Sequence, residues 1–141
     1  MKKRWLTIIF IVIFGHTAYA NSRIDMNTIR KIESSGQRNA LNHKSGARGH
    51  YQITAICLQE YNNFHKVKYT KDDLWKVDIN ERIAIWYFEV RIPALLKHFK
   101  LVDSVENRLI CYNAGIGWAI KYKRTGKLPK ETKDYIKKYG N

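Results

Sequence analysis

From Asp25 onward the chain spaces its apolar residues three and four apart, punctuated by Gly and Pro, and nowhere sustains the apolar–polar alternation of a half-buried strand. This pattern restricts the fold to a mainly α single domain of five to six helices with little or no sheet. Asp25 or Asn27 caps a short helix carrying Ile29 and Ile32, which stops at Ser34-Ser35-Gly36. Thr54 is the expected N-cap of a helix through Leu58 and Tyr61. Asp78 begins a longer one with Ile79, Ile83, Trp86, Tyr87 and Val90, which Pro93 is expected to kink or break. Ser104 starts a helix through Leu109 and Ile110 that ends at Asn113-Ala114-Gly115, and Pro129 fits the first turn of a last helix from Lys130 to Lys138. Residues 36–54 lack a period and read as a loop with room for a short hairpin.

The first twenty residues read differently. Lys2, Lys3 and Arg4 precede the apolar run Leu6 to Phe14, and Ala18 and Ala20 frame a small-residue cleavage site before Asn21. This is the pattern of a secretory signal peptide over 1–20. The competing reading, a membrane anchor, needs about 20 apolar residues, and the run is interrupted well before that at His16. The domain proper is therefore 21–141, in a periplasmic or secreted protein with no stable membrane insertion after cleavage.

The full chain carries 26 Lys plus Arg against 12 Asp plus Glu, a formal charge of +14. Removal of the leader takes three cations and leaves a strongly basic domain whose expected partner is anionic. Lys121, Lys123, Arg124, Lys127, Lys130, Lys133, Lys137 and Lys138 concentrate this charge near the C-terminus. Export and the lack of any nucleic-acid motif argue against DNA or RNA. His43, His50, His65 and His98 show no ligand spacing, so neither metal nor other cofactor is expected. Cys57 and Cys111 either form one disulfide or remain buried thiols.

Most carboxylates sit where a charge is cheap. Asp25, Asp78, Glu106 and Glu131 lie at helix N-termini, and Asp72, Asp73, Asp103 and Asp134 read as solvated. Glu33 does not fit this pattern. It falls at a helix C-terminus, beside Ile32 and before small hydroxyl residues, where the dipole and desolvation both favour the protonated acid. A carboxyl held protonated near neutrality is what a general acid requires.

Four segments give Glu33 its context: Ile32-Glu33-Ser34-Ser35-Gly36, Lys44-Ser45-Gly46-Ala47-Arg48-Gly49-His50-Tyr51-Gln52-Ile53-Thr54, Cys111-Tyr112-Asn113-Ala114-Gly115-Ile116-Gly117 and Leu128-Pro129-Lys130-Glu131-Thr132-Lys133-Asp134-Tyr135. In order and spacing they resemble the motifs of the soluble, SLT-type lytic transglycosylases, relatives of goose-type lysozyme, over nearly all of 21–141. The resemblance implies a lysozyme-like fold in a monomer that acts on peptidoglycan glycan strands. It also implies cleavage of the β-1,4 bond between N-acetylmuramic acid and N-acetylglucosamine to a 1,6-anhydromuramoyl product, with Glu33 as acid and then base.

By the same resemblance Tyr112 would orient Glu33, although a core tyrosine is the other reading. Gln52 and Asn113 would bind acetamido or hydroxyl groups, or Asn113 would simply end its helix. Gly49 and Gly115 would let backbone approach the sugar, or serve as turn residues. Ser34 would steady the carboxylate or cap its own helix, and Tyr135 would line the cleft or pack on the Tyr112 helix. The sequence departs from the usual Gly-Leu-Met-Gln at Gly49-His50-Tyr51-Gln52, which makes Tyr51 an aromatic platform under the sugar. It departs again at Cys111, where a small apolar residue is usual. Two alternatives stay open: a hydrolytic muramidase on the same fold, with Glu89 as the second carboxylate, and a non-catalytic wall-binding protein.

Overall fold

The computed structural model describes residues 23–141; the signal peptide expected over 1–20 lies outside the described residues. Among those described, the protein is a single all-α domain. Its helices are α1 (Met26–Ser34), α2 (Ala55–His65), α3 (Val77–Trp86), α4 (Ile92–His98), α5 (Val105–Ala114), α6 (Ile116–Thr125) and α7 (Lys130–Tyr139).

The N-caps arise where short polar side chains precede apolar runs. Asp25 accepts from the Asn27 N–H at 3.0 Å, Thr54 from the Cys57 N–H at 3.3 Å and Ser104 from the Asn107 N–H at 3.2 Å. Ser35 and Gly36 end α1 with positive φ, and their N–H groups take the carbonyls of Lys31 and Arg30. Glu33 is thereby fixed in the last turn of α1.

Pro93 does not break its helix. A π-helical turn, Tyr87–Arg91, joins α3 to α4 without a gap, and Pro93 lies in the first turn of α4. The wider turn absorbs the misfit upstream of the ring. One helix escaped the sequence reading altogether: α6 follows α5 with only Gly115 between them, its φ of +88° making the corner that few other residues could adopt.

The core is built around Ile29, Ile83, Phe88, Ile92, Leu96, Leu109 and Ile110, all essentially inaccessible. α5 is the hub and packs against α4, α6 and α7, while α7 also lies on α1. The start of α1 is tied to the end of α7, since the Tyr139 hydroxyl accepts from the Asp25 N–H at 2.8 Å.

The stretch 36–54 forms two isolated antiparallel bridges, Leu41 with Arg48 and Arg48 with Ile53, and no strand. One buried side chain on α3 anchors it. Asn80 accepts from the Tyr51 N–H at 2.9 Å and donates to the carbonyls of Arg48 at 2.8 Å and Leu74 at 3.0 Å. Asn80 is only 1% exposed, so three backbone groups depend on this single amide. Arg108 is the other internal polar post. It pairs with Asp103 through two bonds, at 2.6 and 2.9 Å, and with Glu89 at 3.1 Å. Asp103 is exposed, as the sequence reading expected, and in addition holds Arg108 through two bonds.

Cys57 and Cys111 are both buried, and no disulfide joins them. Burial pushes the Cys57 thiol well above its usual range and the Cys111 thiol up to about 12, so both act as small hydrophobes. No described helix is long and apolar enough to cross a membrane.

Candidate functional site

Glu33 sits where two cavities meet. One, of about 300 Å³, is lined among others by Gln52, Thr54, Tyr87 and Tyr112; the other, of about 420 Å³, by Ile32, Tyr135, Lys130 and Lys138. Glu33, Asn113 and Glu131 line both, so the two form one groove running past the carboxyl group. The walls come from α1, α5, α7 and the loop that Asn80 anchors. The residues were far apart in sequence and converge here.

Burial pushes the Glu33 carboxyl up to about 7 from an ordinary value of 4.5. Two neighbours modulate this. The Tyr135 hydroxyl donates to Glu33 Oε1 at 2.7 Å and favours the charged form, while the negative charge of Glu131 opposes it. The group therefore carries its proton through a large part of the population at neutral pH and can also accept one back.

The structure distributes the other expected site residues unevenly. Asn113 lines both cavities and Gln52 lines the first, but the Gln52 amide N–H₂ is already committed to the carbonyls of Ala40 and Gly49 at 3.1 and 3.0 Å. This locks the residue in its positive-φ turn and restricts its part in binding to the amide oxygen. Tyr112 faces the groove but does not orient Glu33: its hydroxyl donates to the Tyr51 carbonyl at 2.5 Å and ties α5 to the loop. Tyr135 does the orienting instead.

Three further expectations are corrected. Tyr51 is not a sugar platform. Its ring is 1% exposed in the core, and its hydroxyl donates to Glu81 at 3.1 Å. Ser34 bonds the Arg30 carbonyl of its own helix at 3.0 Å and so serves as a helix-end residue rather than a support for the carboxylate. Gly49 makes its close approach to Asn80 and the Leu74 carbonyl, inside the protein, not to a ligand. Gly115 makes the α5–α6 corner.

Glu89 is not a cleft residue. It lies in the π-helical turn, about two-fifths exposed, and pairs with the buried Arg108. The groove holds two further carboxylates, Glu131 and Asp134. Asp134 is paired with Lys130 at 2.9 Å, whereas the charge of Glu131, which sequence reasoning assigned only to the helix dipole, acts on Glu33. Glu131 does lie in the first turn of α7, but that turn forms the groove wall. Its position one turn before Tyr135, on the helix that delivers the Glu33 partner, was the available signal. Among the described residues no three His, Cys, Asp or Glu side chains gather as a metal-binding set.

Comparisons with protein-family models, with curated proteins and with solved structures find no match.

The opposed influences of Tyr135 and Glu131 give two expected results. Tyr135→Phe removes a hydrogen bond to a group that becomes charged, worth roughly 1.5–3 kcal/mol. The Glu33 pKa should therefore rise in this variant, read by NMR titration of the side-chain carboxyl, because the bond that favours the ionised form is gone. Glu131→Gln should lower it, because the repulsion that holds the proton on Glu33 is gone. Shifts in the same direction for both variants would contradict this division of labour.

Proposed function

We propose that this protein is a peptidoglycan lytic transglycosylase, exported to the periplasm or beyond, that acts as a monomer on glycan strands. The observation that carries the reading is the Glu33 carboxyl, protonated near neutrality and held by Tyr135 at the junction of a two-part open groove. A groove open along its length suits a polymer better than a compact metabolite.

In this mechanism protonated Glu33 gives its proton to the glycosidic oxygen as the bond to muramoyl C1 breaks. The carboxylate that results then takes the proton of the C6 hydroxyl while O6 attacks C1, closing the 1,6-anhydro ring. No water is consumed. Tyr135 serves both halves: its donated bond steadies the carboxylate formed in the first step and fixes the oxygen that acts as base in the second. The intramolecular hydroxyl has the advantage of proximity, which effective molarities show to be large.

A second reading has a specific observation behind it. Glu131 shares the groove with Glu33, so it, rather than Glu89, is the carboxylate that a hydrolytic muramidase would use to activate water. Glu131 lies close enough to raise the Glu33 pKa by its charge, which favours a role in holding the proton. Incubation of the purified domain with isolated sacculi tests the activity itself. Falling turbidity with release of soluble muropeptides is expected; intact sacculi would overturn both enzymatic readings and leave a wall-binding protein.

A further inference from the structure

Beside Tyr87, a residue of the first groove cavity, lies a further cavity of about 330 Å³, lined by Glu60, Asn63, Phe64, Trp86 and Arg91. Tyr87 lines the first cavity, yet the charges of Glu60 and Arg91 both act on its phenol. Along α2 the same relation appears as Cys57, a groove residue, followed one turn later by Glu60 and another turn later by Phe64.

Two features of this cavity lack an internal explanation. The indole Nε1 of Trp86 and the Oε2 of Glu60 are buried with no hydrogen-bond partner in the protein, although Glu60 Oε1 is satisfied by Arg91 at 2.7 Å. One is a donor and the other an acceptor. Buried polar groups are nearly always paired, so an open donor and an open acceptor in side chains that line one cavity require a partner. The second feature is Phe64, 61% exposed and tilted over Trp86 with ring centroids 5.4 Å apart, whereas Trp86 itself is 6% exposed. A large aromatic ring left in water is a surface awaiting an apolar face.

We propose that this cavity is a distal saccharide subsite that holds the acetamido group of an N-acetylated sugar. The acetamide N–H donates to Glu60 Oε2, its carbonyl accepts from Trp86 Nε1, and the apolar face of the ring lies on Phe64. Both atoms are covered, so ligand entry requires a side-chain movement, and we assign it to Phe64, which is 61% exposed and packed against Trp86. The Glu60–Arg91 pair holds the acceptor in place, and the Asn63 amide is available to a ring hydroxyl. This inference rests on the glycan-cleaving reading above and names what that enzyme grips away from the scissile bond. Its consequence is that long strands are bound better than short ones.

The test uses the domain with Glu33→Gln, so that nothing is cleaved, titrated calorimetrically with chitobiose and chitohexaose, which carry acetamido groups without stem peptides. Adding Phe64→Ala should weaken chitohexaose binding about three- to tenfold, the usual worth of an aromatic contact, and leave chitobiose binding unchanged. Trp86→Phe keeps a ring but removes the N–H, and should act in the same direction. Phe64 is exposed, so its variant reports even where Trp86→Phe fails to fold. Chitohexaose binding insensitive to Phe64→Ala overturns the subsite while the glycan-cleaving reading stands. Failure of the Glu33→Gln domain to bind either oligomer overturns that reading and the subsite with it. Self-association that Phe64→Ala abolishes, without any effect on oligomer binding, assigns the patch to a second copy of the chain and likewise overturns the proposal.

Discussion

Glu33→Gln should fold normally and lose about 10²- to 10⁴-fold in muropeptide release, the range that general acid–base assistance contributes. The amide keeps an oxygen that can accept the Tyr135 hydroxyl, so the local packing survives while the proton needed at the leaving oxygen does not. The variant should also be the more stable protein at alkaline pH. The folded-state pKa of about 7 lies above the ordinary value of 4.5, so the native fold penalises the charged form. Below pH 4.5 both folded and unfolded chains carry the proton and the penalty is absent; as pH rises through 7 it reaches its full size, up to about 3 kcal/mol. The two proteins should therefore melt together below about pH 4.5, separate progressively as pH rises toward 7 and keep the full difference above neutrality, with Glu33→Gln the higher. Activity within a few-fold of the parent, or identical melting at all pH values, would remove Glu33 from the centre of the account.

Gly49→Ala should be the most destabilising single-methyl change in the domain. A Cβ at this position would stand 2.3 Å from Asn80 Nδ2 and 2.7 Å from the Leu74 carbonyl oxygen, on a backbone with φ of +79° that side chains rarely adopt. Neither neighbour can retreat cheaply, because the Asn80 amide is itself bonded to Arg48, Tyr51 and Leu74. Overpacking and the loss of buried hydrogen bonds together cost on the order of 3–5 kcal/mol, a large share of the stability of a domain this size. The melting temperature should drop by roughly 10–20 °C, read by circular dichroism. A change of only a degree or two would mean that the loop is not anchored through Asn80. Because Gly49 lies inside the protein rather than against the ligand, the fraction that remains folded should keep normal turnover.

These two sites also mark what was legible in the chain. The caps at Asp25, Thr54 and Ser104 could be read because each depends on neighbours within three residues, and the same local logic put Glu33 at the end of α1 with a raised pKa. Pro93 was a local signal with a non-local outcome: the chain kept its helix by opening a π turn upstream, a choice set by the packing of Phe88 and Ile92 into the core. Asn80 could not have been found, since a polar residue in an apolar helix looks like a surface position until the loop it anchors is folded onto it. The exchange of roles between Tyr112 and Tyr135 has the same origin. Both phenols reach the groove region, and only the docking of α7 on α1, across 102 residues, decides which one meets the carboxyl group. Glu131 was assigned to the dipole of α7, which is where it lies; that this helix end is also the groove wall is a tertiary fact.

The central claim, that one carboxyl group serves as acid and then base with no water consumed, is tested most directly by the mass of the newly formed glycan ends. Digestion of purified sacculi followed by mass spectrometry of the soluble fragments should yield muramoyl ends lighter than reducing ends by one water, the signature of the 1,6-anhydro ring. Glu131→Gln should yield the same ends, at a rate within a few-fold of the parent at pH values where Glu33 stays protonated. Reducing ends as the main product, with their formation abolished in Glu131→Gln, would contradict the account and identify a hydrolase that activates water through its second carboxylate.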